Sequence, residues 1–253
     1  MSTSDWYLQG VLYFHILVTT TALVLFAPVA IFATKGSRWH ISAGKCFYWT
    51  VIVGSLSGVM LLFDGNFINR WLPTEGQDFE ESIGGWFAPA PHLLQDMFFI
   101  YAALAALVCV ISGKRVWMRV RLARDRVACD WKDWLLALSM GVAALFWAVL
   151  GAYDLGWGGV HGERLLISSA ILLGFALFDI WTFRSPPSPQ SFPWHIVHGA
   201  KMSAVVVFLL LAYQFHLKDV LPGPFKNPYV MVGGFVLLLS TFFVLDRRQP
   251  ARD

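Results

Sequence analysis

Long apolar runs separated by short polar segments dominate this chain. Seven of them can cross a bilayer: Val11–Phe32, Cys46–Phe63, Leu93–Ser112, Trp134–Ala152, Leu165–Phe183, His195–Phe215 and Tyr229–Leu245. A span takes roughly 20 residues at ~1.5 Å of rise each, and the second and seventh runs reach that length by extending into their flanks. None alternates apolar with polar as a barrel strand does. Hydrocarbon offers no partner to backbone N–H and C=O groups, so each run must satisfy its own as a helix. The pattern predicts an all-α integral membrane protein, a single domain of seven transmembrane helices.

Composition agrees. Of 253 residues 57% are hydrophobic and 14% charged, about half the charge of an ordinary soluble domain. The first run is preceded by Asp5 and followed by Lys35 and Arg38, so it reads as a retained span with the N-terminus outside rather than as a cleavable signal. Seven spans then put the C-terminus in the cytoplasm. On that topology only Arg70, Arg164, Lys218 and Lys226 of the 19 Lys and Arg lie outside, and the other 15 lie inside, as the positive-inside rule requires. The net charge of +3 reflects orientation and implies no nucleic-acid partner. Cys46, Cys109 and Cys129 all fall in the cytoplasmic half. Three cysteines on a reducing side, without metal-site spacing, read as packing residues.

Two connections stand out. The outer segment Asp64–Pro91 carries five acidic residues, Trp71, Trp86 and three prolines, and reads either as a loop folded onto the membrane surface or as a solvated acidic loop. The inner segment Gly113–Asp133 interleaves Lys114, Arg115, Arg119, Arg121, Arg124 and Arg126 with Val116, Trp117, Val120 and Leu122. It predicts a third helix that continues past the bilayer, turns, and rests on anionic headgroups. Trp39-His40-Ile41 recurs as Trp194-His195-Ile196, each at the inner entrance of a span. Internal duplication or shared interfacial composition both account for it.

The candidate chemistry lies with histidine. His15, His92, His161 and His216 form an outer layer on this topology, and His40, His195 and His198 an inner one. Asp64, Asp96, Asp154 and Glu163 join the first and Asp179 the second. Ionisable groups inside a span are costly, so His15 and Asp179 are functional candidates, the plain reading being a polar contact between helices. His92 and Asp96 share a helical face, and a carboxylate can orient an imidazole for a metal. With His161 they form the candidate metal set. His195 and His198, with Met202, lie within reach of Asp179. A buried pairing of Asp179 with Lys201 is the alternative.

Neutral imidazole suits haem iron, copper and zinc. Two layers of histidines match the needs of a b-type cytochrome: His40 with His195 or His198 for one haem b, and two of His15, His92, His161 and His216 for the other. Polar interfacial histidines with no cofactor are the competing reading. The chain has no HExxH, GxSxG or phosphate loop. The last span has no lysine for a retinal Schiff base. The late HxxH pair departs from the HxxxH of seven-helix zinc hydrolases, so a zinc-activated water at the outer cluster has only a poor motif match.

Lys35-Gly36-Ser37-Arg38-Trp39-His40, with Gly44 and Tyr48 following, resembles the signature of an uncharacterised family of predicted multi-helix bacterial membrane proteins, a KGxxxH with a glycine four on. His198, Met202, Ala204 and Phe208 are similar to that family's later HxxxM element. Together the two stretches cover about 40 residues, and Trp39 and Ile41 depart from the pattern. The resemblance implies a bacterial inner-membrane protein with a functional inner histidine layer, and no particular activity. The leading expectation is a redox protein passing electrons between the quinone pool and an outer-face partner. The alternatives are a non-enzymatic subunit packed on a respiratory or photosynthetic complex, a proton-coupled carrier using Asp179, His195 and His198, and a zinc-dependent hydrolase.

Overall fold

The computed structural model describes residues 3–34, 36–62, 91–122, 129–156, 162–185 and 194–217, with Val230 and Gly233. Helix α1 (Thr3–Thr21) passes through a π-helical turn (Ala22–Phe26) into α2 (Ala27–Phe32), so the three make one rod. Then come α3 (Arg38–Leu62), α4 (Pro91–Leu122), α5 (Trp131–Gly156), α6 (Gly162–Arg184) and α7 (Trp194–Leu217). These are six rods long and apolar enough to cross a membrane. The predicted seventh span, Tyr229–Leu245, lies outside the described residues except at Val230 and Gly233.

The π-helical turn has a local cause. Pro28 has no N–H to give Val24 and its ring would press on that carbonyl. The chain widens just before it, and Ala27 N–H bonds Ala22 O, five residues back. A proline-adjacent bulge of this kind relieves the clash without ending the helix. As predicted, α4 runs on past Ser112, reaching Leu122.

The rods pack in a chain of neighbours: α1/α2 on α3, α3 on α4, α4 on α7, and α5 on α6, with α4 and α7 innermost. On α5 the buried positions are Asp133, Ala137, Met140, Ala144, Trp147, Gly151 and Asp154. The opposite stripe of Leu135, Leu138, Val142, Leu145 and Val149 is exposed. A soluble helix points its large apolar side chains inward. Here five of the seven buried positions are small or polar, and a whole stripe of large apolar side chains faces out, which places the rod in lipid. Trp39, Trp117, Trp131 and Trp181, all exposed, lie near one end of their rods, where an aromatic belt marks a bilayer interface.

Glycine sets the closest helix pairs. Gly54 and Gly58 of α3, a GxxxG pair, receive Thr19 and His15 of α1, themselves one turn apart. A Cβ at Gly54 would stand 2.7 Å from Thr19 Cγ2, and one at Gly58 would stand 3.0 Å from His15 Cε1. Between α5 and α6, Gly151 and Gly162 face each other, each too close to its neighbour across the pair for a side chain. Gly162 N–H donates to Asp154 Oδ2 at 2.6 Å, so a buried carboxylate caps the positive end of α6.

Candidate functional site

Three helices bring polar groups, two of them charged, to one buried point. Lys201 of α7, Asp179 of α6 and Ser112 of α4 are 0%, 2% and 3% exposed. Lys201 Nζ donates to Asp179 Oδ1 at 2.6 Å, to Oδ2 at 2.5 Å and to Ser112 Oγ at 2.5 Å. Ser112 Oγ donates in turn to Asp179 Oδ2 at 3.1 Å. An ammonium has three protons to give, and all three are directed at these oxygens. The site is seven residues in from Trp194, about 10 Å along the helix.

The local sequence explains this meeting. Gly113 follows Ser112, and a Cβ there would stand 3.3 Å from Lys201 Cβ and 3.2 Å from Met202 Cε. The missing side chain lets α4 and α7 close enough for Ser112 to reach Lys201. It also leaves the Gly113 carbonyl accessible to His198, whose Nδ1–H donates to it at 2.8 Å. Val116, Trp194 and Val197, with Phe178 against them, cover the next turn. Beyond lies a second cluster. Arg115 Nε is 2.6 Å from Asp133 Oδ1 and its Nη2 is 2.7 Å from Asp130 Oδ1. Arg119, also buried, is 3.8 Å from Asp133 and lies over the Phe183 ring.

The second cluster shapes the start of α5. Asp130 Oδ1 accepts the N–H groups of Lys132 and Asp133, and Asp133 Oδ2 accepts the N–H of Asp130. This reciprocal pair is a capping box, here clamped by Arg115. Burial pushes the Asp130 carboxyl up, but the Asp133 N–H and the Arg115 guanidinium together outweigh it and hold it below the usual carboxylate range.

The histidines divide by interface. His15 Nδ1 lies 3.0 Å from Gly54 O and 3.1 Å from Ser57 Oγ, between α1 and α3. His40 donates Nδ1–H to Ala30 O at 2.8 Å, filling a carbonyl left open where α2 ends. Gly36 (φ +79°) makes the turn before it, a left-handed conformation that glycine adopts without steric cost. Ser37 Oγ then caps α3 by accepting His40 N–H. Gly36, Ser37 and His40 thus supply a turn, a cap and a tie back to α2. His195 is exposed at the start of α7 while His198 is half-buried, so this pair splits between surface and interface. The side chains of His92, Asp96 and His216, and the whole of His161, lie outside the described residues.

Against expectation, the Asp179 carboxylate is held by Lys201 and Ser112 and by neither inner histidine. Lys201 offers a full charge and three donors at the same depth, and the glycine-tight α4–α7 contact carries His198 to a carbonyl instead. Among the described residues no three of His, Cys, Asp and Glu gather as a metal site. The three cysteines are free, with Cys109 in the core and Cys46 exposed. Ser112 and Gly113 escaped the sequence reading. The signal for them was a small pair, Ser-Gly, at the end of an otherwise large apolar run. No protein-family model, curated protein or solved structure matches this chain.

Proposed function

We propose that this chain is a proton-coupled membrane carrier with Asp179, Lys201 and Ser112 as its working centre. The observation that carries the reading is a fully buried, fully hydrogen-bonded ion pair joining three transmembrane rods. Taking two charges out of water costs several kcal/mol per ion, and a packed apolar pair commonly serves stability as well or better. A pair kept at such depth is therefore a functional candidate. Its chemistry supplies a coupling. A proton shifting from Lys201 to Asp179 neutralises both and slackens the tie between α6 and α7. A proton delivered to Asp179 from outside leaves Lys201 unpaired and drives it toward water or another partner. Either event biases the helices toward a second arrangement.

In this reading the rods lie in a bacterial inner membrane with the N-terminus outside, and Tyr229–Leu245 completes a seventh span. The confinement of 15 of the 19 Lys and Arg to one side supports the orientation. The test is pH-gradient-driven uptake in proteoliposomes, using a panel of amino acids, carboxylates, sugars and small cations. Uptake that collapses with the gradient and is abolished by Asp179→Asn is expected. Uptake indifferent to both overturns the reading.

A second reading has one observation in its favour. His40 and His198 each donate Nδ1–H to a backbone carbonyl, the tautomer that a metal-ligating histidine commonly adopts. In a redox protein these two, or His195, would hold haem b or copper at the inner side, with quinone and an outer-face protein as electron partners. The spectrum of purified protein, before and after dithionite, decides it. Sharp reduced bands lost on His198→Ala support it, and a colourless protein rejects it.

A further inference from the structure

Two lysines at the α3–α4 edge have no carboxylate to neutralise them. Lys45 of α3 and Lys114 of α4 are both exposed. Among the described residues, the carboxylates at this end of the rods are Asp130, Asp133 and Asp179, and they hold Arg115 and Lys201. Lys114 rests instead on aromatic rings across the helix pair. Its Nζ is 4.2 Å from the centre of the Tyr48 ring and 6.0 Å from that of Trp49. A ring face attracts a cation through its quadrupole but cancels none of the charge.

Depth makes this placement costly. Trp39 and Trp117 belong to the aromatic belt at this end of α3 and α4. Lys114 lies three residues further into the membrane than Trp117, about 4–5 Å, and Lys45 six further than Trp39, about 9 Å. A lipid-facing lysine at such depth ordinarily stretches back to the interface. Lys114 leans the other way. Helical side chains tilt toward their own N-terminus, which for α4 is the far side of the membrane. Its contact with Tyr48, nine residues or about 13 Å beyond Trp39, lodges the ammonium there.

The surface around Lys114 has the order of a phospholipid. Arg38, Ser42, Lys45, Trp49, Val53, Leu56 and Met60 are all exposed on α3. They recur at steps of three and four residues, so they form one stripe. It is basic and polar for its first two turns and apolar beyond them. A phosphate set between Lys45 and Lys114 would leave its acyl chains against Val53, Leu56 and Met60. We propose that Lys45 and Lys114, beside Trp49, hold the headgroup of an anionic phospholipid from the leaflet at this end of the rods. The bound headgroup supplies the negative charge and the acceptor oxygens that two ammonium groups facing lipid otherwise lack. This site is independent of the carrier reading of Asp179 and Lys201.

Native mass spectrometry of the intact protein in detergent tests the site, with phosphatidylglycerol and phosphatidylcholine of identical chains added in turn. Phosphatidylglycerol should bind severalfold more tightly. Lys114→Gln and Lys45→Gln should each weaken its binding about fivefold, the worth of one basic side chain at an anionic surface. Lys114→Arg should retain it. Lys132→Gln removes an exposed lysine at the same end, over Trp131, and should leave it unchanged. Equal binding of the two lipids, or a preference indifferent to both Lys45→Gln and Lys114→Gln, overturns the site. An equal loss in Lys132→Gln overturns it too, because the preference would then reflect diffuse charge. So does a mass of two chains that Lys114→Gln reduces to one, which would assign this face to a second copy.

Discussion

The α1–α3 pair and the α4–α7 core both bury polar groups in a lipid-facing protein, and they do it by opposite means. In the pair, His15, Thr19 and Ser57 settle on backbone carbonyls of the two rods, and His15 and Thr19 lie on the glycine surface of α3. Each contact is local and could be lost without leaving a charge behind. In the core, Lys201 and Asp179 are ionic, lie on different helices, and leave an uncompensated charge if either partner goes. Only 17% of the first span is buried, against 50% of α4 and of α7. Most of the first rod therefore faces lipid, and its polar side chains settle on its own backbone and on α3. Charge stands where exchange with water is hardest, which is where a protonation event has the most leverage on helix packing.

The largest effect should come from breaking the core pair. Lys201→Met or Asp179→Leu alone should cost about 3–5 kcal/mol, the usual penalty for orphaning a buried charge, read from unfolding in detergent. Next comes the glycine seam of the outer pair. Gly54→Leu drives side-chain atoms into Thr19 and should cost about 1–3 kcal/mol, read both as lost stability and as faster labelling of a cysteine placed at Val18. Comparable losses in the two regions would erase the contrast between them.

Smaller effects belong to single hydrogen bonds. His198→Phe removes the tie to the Gly113 carbonyl and His40→Phe removes the tie to Ala30, and each should cost about 1 kcal/mol. A much larger loss at His198 alone, with no matching loss at His40, would point to a role beyond the carbonyl. The smallest effect is that of pH on the Asp130 capping box. Its carboxyl is held below the usual range in the folded protein. The stabilisation is therefore complete above the unfolded carboxylate pKa and is lost as pH falls through the lower folded value. Arg115→Gln should weaken this acid-limb dependence, checked by melting temperature in buffers taken down through and below the ordinary carboxylate range.

The helical plan was legible because hydrocarbon leaves the backbone no alternative, so apolar length alone located the rods. Their ends were less so. Arg38 and Ser37 begin α3 through a cap and a turn that hydropathy does not register, and Pro28 leaves a π-helical turn rather than a break. At the site, the depth of Asp179 in its span marks it as a candidate from the sequence, with Lys201 as its alternative partner. Choosing between Lys201 and the histidines needed the relative rotation of α6 and α7, which a single sequence does not contain. Ser112 and Gly113 looked like ordinary small residues. Their importance comes from the closeness of two helix axes, and the same is true of Gly54 and Gly58 beneath His15 and Thr19.

The double variant Asp179→Leu/Lys201→Met separates a working ion pair from a purely structural one when assayed together for unfolding stability and for gradient-driven uptake. The apolar pair is expected to restore most of the stability lost by either single change, while uptake stays abolished. Recovery of both stability and uptake would show that the ion pair is only structural and that Asp179 and Lys201 carry no proton coupling.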